Sequence, residues 1–252
     1  MSENLDRFLE MLESSSNVVF FGGAGVSTES GIPDFRSKDG LYNQHDVQFD
    51  MYQPEYLLSH SCLMREPKVY FEFHRQKLDT RNIEPNNAHK YLARLEEMGK
   101  LSAIVTQNID GLHQRAGSKK VYEIHGSALR NYCMKCKKTY PADYIFENKE
   151  PIPTCDCGGW IRPDITLYEE GLPSEAVEKA IQAISKADML IIGGTSLTVY
   201  PAASFINYFR GKNLVVINES EIAIQKTANI LYVKERIGAF FTEAAKAGNI
   251  IL

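Results

Sequence analysis

The sequence contains neither a long apolar run nor an excess of basic residues. No apolar stretch approaches the roughly 18 residues that a membrane-spanning helix needs, and the first ten residues are acidic and amphipathic, unlike a signal peptide. The formal net charge is −4, whereas proteins that bind nucleic acids or anionic membranes usually display a basic excess. We therefore expect a cytoplasmic protein with no specific nucleic-acid partner and no membrane partner.

Cysteine is also scarce, but its spacing is informative. Four of the five cysteines form two close pairs, Cys133 with Cys136 and Cys155 with Cys157. Four thiolates suit a tetrahedral zinc ion and leave no position for water, so we expect one structural Zn²⁺. The second pair has one intervening residue where two are usual, and the glycine pair after Cys157 would let the chain turn there. Two redox disulfides are the alternative, which a reducing cytoplasm disfavours.

Residues 23–36 are rich in glycine and hydroxyl side chains and follow a short apolar strand at residues 18–21. Such a segment lets the backbone approach a pyrophosphate, with the N–H groups of a following helix near Thr28 aimed at the anion. However, the third glycine of the usual dinucleotide fingerprint is missing. Asp46 and Asp50 also do not end a second apolar strand, as a ribose-binding acid should. The segment therefore predicts an unusual nucleotide site.

Helical and strand periodicities alternate along most of the chain. Residues 38–81 are the exception, being aromatic, polar and mostly helical without a convincing strand. The alternation predicts an α/β fold built on a doubly wound parallel sheet, interrupted by a helical insertion and by the cysteine module. Helices are predicted over residues 5–14, 87–98, 174–186 and 201–209, and strands over residues 18–21, 103–106, 121–124, 189–192 and 214–217.

Polar or glycine-rich segments directly follow the predicted strands. In a doubly wound sheet the carboxyl ends of the strands line one crevice, so their joint placement predicts one ligand site. Each segment alone could equally be a tight turn, a helix cap or a satisfied buried histidine. The segments are Gly22-Gly23, residues 107–110, His125, residues 193–196 and Asn218-Glu219.

Several motifs, taken together and in order, resemble the sirtuin family. They are Gly23-Ala24-Gly25-Val26-Ser27, Gly31-Ile32-Pro33-Asp34-Phe35-Arg36, residues 106–113, residues 123–127, the cysteine pairs, residues 193–197 and Ile217-Asn218. The resemblance implies a Rossmann-like NAD-binding domain over residues 1–36, 85–128 and 163–252. A small domain would combine the helical insertion, residues 37–84, with the zinc-binding module, residues 129–162.

The resemblance also implies an activity, that of a NAD-dependent protein-lysine deacetylase acting on acetylated lysine in proteins or peptides. In the sirtuin reaction the acetyl oxygen attacks C1′ of the NAD ribose and nicotinamide leaves, giving deacetylated lysine and O-acetyl-ADP-ribose. His125 would be the general base, since a neutral imidazole accepts a proton near pH 7. Asn108 would orient a ribose hydroxyl and a water, and Asp110 would hold the nicotinamide carboxamide.

The same resemblance assigns residues to NAD and to the peptide. Phe35 would cover the nicotinamide pocket, and Asn218 with Glu219 would take the role of the missing ribose acid. A substrate peptide would add a strand between residues 164–167 and 197–200. The expected NAD-binding residues are Gly23, Ala24, Gly25, Ser27, Thr28, Ile32, Asp34, Phe35, Arg36, Gln107, Asn108, Ile109, Asp110, His125, Gly193, Thr195, Ser196, Asn218, Glu219 and Ile237.

Two features depart from the sirtuin pattern. Glu169 stands where sirtuins commonly have glycine, and a left-handed backbone at that position would cost about 1 kcal/mol. The Tyr-x-x-Arg pair with which desuccinylase-type sirtuins bind an acidic acyl group is absent between residues 67 and 81, where Phe73 and Gln76 stand near those positions. An apolar pocket without arginine should prefer acetyl-lysine to succinyl-lysine by about tenfold or more.

Two other functions remain open at this point. A mono-ADP-ribosyltransferase or NAD glycohydrolase would use the same NAD pocket with a different acceptor. A non-enzymatic zinc-ribbon binding module is suggested by three lysines beside the cysteines, although the joint presence of His125, Asn108 and Asp110 argues against it. The sequence does not fix the oligomeric state, and we expect a monomer.

Overall fold

The structure is a computed structural model, which describes residues 3–222, 224 and 229–252. The described strands are β1 (Val18–Gly22), β2 (Leu101–Thr106), β3 (Val121–Glu123), β4 (Gly126–Cys133), β5 (Thr139–Pro141), β6 (Ile161–Ile165), β7 (Met189–Gly193), β8 (Asn213–Ile217) and β9 (Asn229–Val233). The described α-helices are α1 (Glu3–Glu13), α2 (Pro54–Leu57), α3 (His60–Arg65), α4 (Pro67–Lys77), α5 (Asn87–Glu97), α6 (Leu112–Arg115), α7 (Asp143–Phe146), α8 (Ser174–Lys186) and α9 (Ile237–Ala247).

Six strands form one parallel sheet in the order β3-β2-β1-β7-β8-β9. The chain moves outward from β1 through β2 to β3 and then returns to β7 on the other side of β1. The strand order therefore reverses at β1, and the crevice at such a switch point is where doubly wound sheets bind ligands. Every residue of β1, β7 and β8 is buried, as expected of strands covered on both faces. The predicted α/β fold is confirmed.

Helices cover both faces of this sheet. Phe8 of α1, Leu92 of α5 and Phe241 of α9 pack together on one face. Ile184 of α8 and Phe205 pack with the strands on the other face. The carboxyl ends of the strands are therefore held between two apolar layers. Among the described residues, no helix has the length and the apolar character needed to cross a membrane.

The rest of the chain forms a smaller layer beside the sheet. Strands β5, β4 and β6 make an antiparallel sheet in that order. Its core combines residues of α3 and α4 with residues of the cysteine module, including Tyr70, Phe71, Ile145 and Ile161. Cys62, the cysteine that belongs to neither pair, is fully buried in this cluster.

Two predicted helices differ from the prediction. The helix expected near Thr28 is replaced by two 3₁₀ turns, Ala24–Val26 and Thr28–Ser30. Gly31 ends the second turn with a φ of 91°, and the proline two residues later has no N–H to continue a helix. The segment predicted as a helix over residues 201–209 is a 3₁₀ helix, Ala202–Tyr208.

The elements β9 and α9 were not predicted. The sequence of α9, Ile237–Ala247, has a glycine at its second position and alanines through its second half. Its buried residues nevertheless recur at helical spacing, with Phe240, Phe241, Ala244 and Ala245 buried and Glu243 and Lys246 exposed, so this pattern could have identified the helix.

Candidate active site

A cavity of about 730 Å³ opens at the carboxyl ends of β1, β2, β7 and β8. Its volume lies within the range of small-molecule and cofactor sites. Every residue predicted to bind NAD lines this cavity except Gly193. Gly193 ends β7, and its carbonyl oxygen accepts the N–H of Gly23 at 3.3 Å. The segments that follow separate strands in the sequence therefore meet around one space.

The two glycine turns on the cavity wall pack backbone against backbone. The N–H of Gly25 donates to the carbonyl oxygen of Gly194 at 2.8 Å, and a Cβ atom on Gly25 would lie 2.8 Å from the Gly194 Cα. The hydroxyl of Thr28 donates to the Gly25 carbonyl at 3.0 Å. The N–H of Gly25 already donates to Gly194 and is not available to a pyrophosphate. The predicted role of Gly25 therefore depends on the absence of a side chain, which lets a pyrophosphate approach the backbone closely.

Three buried side chains from two loops form one hydrogen-bonded group. Ser27 Oγ donates to Asp110 Oδ2 at 2.6 Å and accepts from Asn108 Nδ2 at 3.0 Å. The other carboxylate oxygen, Asp110 Oδ1, accepts the N–H of Leu112 at 2.9 Å. Burial raises the pKa of Asp110, while the hydrogen bonds from Ser27, Leu112 and Asn108 oppose the shift. The carboxylate and the amide are consequently fixed in orientation.

His125 is held in one tautomer by the backbone. Its Nδ1 lies 2.9 Å from the carbonyl oxygen of Gln107. Because a carbonyl oxygen can only accept, Nδ1 carries the proton, and in the neutral ring Nε2 has the free lone pair. Burial lowers the pKa of His125, and the bond to Gln107 only partly opposes this. At pH 7 the ring is therefore a neutral base that lines the cavity.

Residues that directly follow β2, β7 and β8 are joined by hydrogen bonds on the cavity wall. Gln107 Nε2 donates to Thr195 Oγ1 at 3.0 Å, and the N–H of Thr195 donates to Asn218 Oδ1 at 3.1 Å. Glu219 differs, since it is exposed and pairs with Arg236 at 3.2 Å. Ser196 is also exposed and shares a 2.8 Å hydrogen bond with Thr198.

The segment Asp34-Phe35-Arg36 lies along the opposite side of the cavity. Asp34 Oδ1 accepts the N–H groups of Arg36 at 3.0 Å and Ser37 at 2.8 Å, which makes a tight Asx turn. The Phe35 ring packs against Tyr42 with 5.4 Å between centroids. Arg36 Nη2 donates to the hydroxyl of Tyr168 at 3.0 Å.

Glu169, at the position where sirtuins commonly have glycine, has a left-handed backbone conformation with a φ of 76°. Its carboxylate accepts the N–H of Ser61 at 2.9 Å and the Ser61 hydroxyl at 2.8 Å. These two hydrogen bonds offset the backbone cost by tying the residue to the start of α3. The neighbouring Glu170 pairs with buried Arg162 at 2.5 Å. Although burial opposes it, this pairing lowers the pKa of Glu170 to about 2.

The four cysteines predicted to hold zinc come together. Their sulfur atoms all lie within 4.8 Å of one another, with 3.5 Å between Cys133 and Cys157 and 3.6 Å between Cys136 and Cys155. Zn–S bonds of about 2.3 Å in a tetrahedron place sulfurs about 3.8 Å apart, so the set fits Zn²⁺. The same distances are far longer than a disulfide bond. Gly158, with a φ of 78°, makes the turn that the short Cys-x-Cys spacing requires.

The sequence did not identify Lys77, which lines the cavity where an acidic acyl group was considered. Lys77 Nζ forms an ion pair with Asp46 Oδ2 at 2.8 Å. In contrast, Phe73 packs edge-on against Phe49, and Gln76 donates to the side chains of Gln48 and Glu72. The signal that could have found Lys77 is its position four residues after Phe73, which places both on one face of α4.

His89 and Tyr168 were also missed. His89 Nε2 lies 3.5 Å from Ser27 Oγ, and its ring packs against the ring of His113 with 4.7 Å between centroids. Tyr168 lines the cavity and contacts Arg36 and Tyr42 through its hydroxyl. No local pattern marks either residue, because each meets its partner only in the folded chain.

Comparison with known proteins gives a consistent result. The profile of the Sir2 family matches residues 23–201. A protein named NAD-dependent protein deacetylase from Clostridium perfringens is 55% identical over 241 residues, which cover 94% of this chain and 97% of that protein. A protein of the same name from Clostridium acetobutylicum is 51% identical over 237 residues, covering 94% and 96%.

Solved structures are similar over the whole chain. A structure described as Sir2 bound to acetylated peptide has a TM-score of 0.86 and 34% identity, and the match covers 100% of both chains. A structure of Sir2 with p53 peptide and NAD⁺ has a TM-score of 0.85 and 36% identity over 99% of each chain. With the family profile covering well over half of the sequence, this chain belongs to the Sir2 family, the sirtuins.

Proposed function

We propose that this protein is a NAD-dependent protein-lysine deacetylase that acts on acetylated lysine in proteins or peptides. The observation that carries the proposal is a neutral histidine base in the same cavity as a fixed, buried carboxylate and amide. The curated relatives described above bear this activity in their names. Bound NAD supplies a ribose carbon at which the acetyl oxygen displaces nicotinamide.

We assign the proton transfer to Nε2 of His125. Its free lone pair accepts a proton from a ribose hydroxyl, and the ring then becomes an imidazolium. The Gln107 carbonyl keeps its hydrogen bond to Nδ1 throughout, so it stabilises the positive charge as the charge develops. No rearrangement of the ring is needed, because the tautomer is set before the substrate reacts.

We assign positioning of the nicotinamide and its ribose to Asp110 and Asn108. A carboxylate has about four lone-pair sites, and Ser27 and the Leu112 N–H use one site on each oxygen. Asp110 can therefore still accept from a carboxamide N–H₂ group. Asn108 is anchored through Nδ2, which leaves its Oδ1 as the acceptor we assign to a ribose hydroxyl.

The remaining cavity residues are proposed to hold NAD along its length. Phe35 would cover the nicotinamide, the glycine turns at Gly25 and Gly194 would face the pyrophosphate, and Asn218 would reach the adenosine ribose. Each of these residues lines the cavity. Glu219, exposed and paired with Arg236, would join the ribose only by exchanging that partner.

We further propose that one structural Zn²⁺ joins Cys133, Cys136, Cys155 and Cys157. The ion would cross-link the turn after β4 to the turn before β6 and so hold the small antiparallel sheet together. All four positions are thiolates, so the ion has no part in the reaction. A cytoplasmic location, a monomeric state and the lack of a nucleic-acid partner also remain proposals.

The acyl preference is proposed to favour acetyl over acidic acyl groups. Lys77 is a cation on the cavity wall, but Asp46 neutralises it at 2.8 Å. An incoming carboxylate would have to displace Asp46 before it could use the ammonium group. The preference for acetyl-lysine over succinyl-lysine of about tenfold or more thus rests on the ion pair as well as on the missing arginine.

Product analysis of one peptide series tests the proposal. Peptides carrying acetyl-, butyryl- or succinyl-lysine, or unmodified lysine, are incubated with NAD, and the products are measured by mass spectrometry. We expect deacetylated peptide, nicotinamide and O-acetyl-ADP-ribose in equal amounts, and no NAD loss with unmodified peptide. ADP-ribose attached to protein, or NAD cleavage independent of the acyl peptide, would instead support the transferase or glycohydrolase alternative.

A further inference from the structure

Two loops that line the same side of the cavity meet at one hydroxyl group. We call residues 32–43 the cofactor loop and residues 165–173 the substrate loop. The Tyr168 hydroxyl of the substrate loop accepts a hydrogen bond from Arg36 Nη2 at 3.0 Å and lies 3.2 Å from the hydroxyl of Tyr42. Both partners belong to the cofactor loop, so a single oxygen atom joins the two loops.

The substrate loop is firmly attached to the small layer. The Tyr168 N–H donates to the Leu58 carbonyl at 3.0 Å, and the Tyr168 carbonyl accepts from the His60 N–H at 3.1 Å. The next two residues are glutamates whose carboxylates bind the start of α3 and the buried Arg162 guanidinium. Tyr168 is therefore anchored through its own main chain and through the side chains of the two residues that follow it.

The cofactor loop is ordered mainly within itself. The N–H of Leu41 donates to the Asp34 carbonyl at 2.6 Å, and the N–H of Tyr42 donates to the Phe35 carbonyl at 2.9 Å. The Arg36 guanidinium carbon lies 5.5 Å from the centroid of the Tyr42 ring. These contacts fix the shape of the loop, while the bonds to Tyr168 tie that shape to the substrate loop.

We propose that the Tyr168 hydroxyl is a positioning group that latches the cofactor loop to the substrate loop and so places Phe35 and Arg36 for NAD. The inference rests on the proposed function. Arg36 has five N–H donors in a planar fork and the hydrogen bond to Tyr168 uses one of them, so the guanidinium can still donate to an anionic or ribose oxygen of NAD. The latch lowers the entropy cost of NAD binding because the loop is held before NAD arrives.

Removing only the hydroxyl tests the latch. Tyr168→Phe keeps the ring, and loss of hydrogen bonds to a cationic donor and a phenol should raise KM for NAD about fivefold to tenfold. The kcat and the KM for acetylated peptide should stay within about twofold, since the hydroxyl acts on the loop and not on the peptide. Tyr42→Phe removes one of the two partners and should raise KM for NAD by a smaller factor.

A matched control is Tyr144→Phe. This variant also removes a phenolic hydroxyl, which in Tyr144 donates to the Thr154 carbonyl at 2.8 Å. Tyr144 lies in the cysteine module and contributes to neither loop. The variant should leave KM for NAD unchanged. Unchanged KM for NAD in Tyr168→Phe, or an equal rise in KM for peptide, would overturn the latch.

A second readout does not depend on turnover. Amide hydrogen exchange of residues 33–43 should be faster in Tyr168→Phe than in the wild-type protein or in Tyr144→Phe. Exchange that is equal in the three proteins would contradict the latch even if the deacetylase activity is confirmed. Conversely, faster exchange in a protein that does not deacetylate lysine would support the latch while the proposed function fails.

Discussion

The two walls of the cavity are built in different ways. One wall consists of residues that follow strands β1, β2, β3, β7 and β8, and its polar members Asn108, Asp110 and Thr195 are at most 8% exposed. The other wall consists of the cofactor loop, the substrate loop and the end of α4, where Arg36 is exposed and the Lys77 and Asp46 side chains are 21% and 27% exposed. We call them the strand-end wall and the loop wall.

We expect the strand-end wall to carry out the reaction and the loop wall to bind NAD and select the acyl group. Residues at strand ends inherit the rigidity of the sheet, so the hydrogen bond between His125 and Gln107 fixes a tautomer that does not depend on a moving loop. The loop wall has ion pairs and hydroxyl contacts that can exchange partners, which suits the binding of NAD and the choice of acyl group. Substitutions on the strand-end wall should therefore change kcat, and those on the loop wall should change KM or substrate ratios.

The largest effect is expected at His125. His125→Ala removes the base, and general-base catalysis typically contributes about 10² to 10⁴-fold, so kcat should fall by about 10³-fold. The melting temperature should stay close to that of the wild-type protein, because the ring contributes one hydrogen bond at the cavity wall. Steady-state assays with acetylated peptide and thermal melts measure both quantities. A folded variant with near wild-type kcat would contradict the assignment of the base.

Zinc removal should have the next largest effect, although the ion lies on neither wall. Chelation takes away the cross-link between the turns that carry the two cysteine pairs, and metal binding in such sites is folding free energy. We expect loss of the small antiparallel sheet, a lower melting temperature and about tenfold or more loss of activity. Metal analysis, circular dichroism and activity before and after re-addition of Zn²⁺ check this. A folded, zinc-free protein with full activity would contradict the structural role assigned to Zn²⁺.

A smaller change is expected when the loop wall loses a charge. Asp46→Asn leaves Lys77 unpaired beside the cavity, and a charge-assisted contact to a succinyl carboxylate should raise the ratio of succinyl to acetyl turnover about fivefold. The kcat for acetyl-lysine should change little. The double variant Asp46→Asn with Lys77→Met is the control, and its ratio of succinyl to acetyl turnover should not rise. If the ratio rises equally in both variants, the ion pair does not select the acyl group.

The smallest effect concerns pH. Burial lowers the pKa of His125 below its ordinary value of 6.5, and the proposed base acts only when Nε2 is unprotonated. Activity should therefore be constant around neutral pH and fall as the pH drops through a midpoint below 6.5. A profile of kcat/KM against pH, which reports the free enzyme, gives this midpoint. An acid limb centred above 6.5 would show that a different group controls the reaction.

The sequence revealed the strand-end wall more completely than the loop wall, for a physical reason. Asn108, Asp110 and Thr195 directly follow apolar strands, and the topology of a parallel sheet brings such positions together. The Lys77 pair with Asp46 joins residues 31 positions apart through the packing of a helix against a loop, and Tyr168 reaches Arg36 across 132 positions. Neither contact leaves a local pattern. The helix expected near Thr28 was wrong because the glycines and proline that serve the site also break a helix.

The fate of the acetyl group tests the proposed reaction most directly. A peptide whose lysine carries a deuterated acetyl group is incubated with the protein and NAD, and the label is followed by mass spectrometry. We expect the deuterated acetyl group to move to ADP-ribose, with one O-acetyl-ADP-ribose formed for each lysine freed. Recovery of the label as free acetate from the first turnover, or retention of the label on lysine while NAD is consumed, would contradict the proposed reaction.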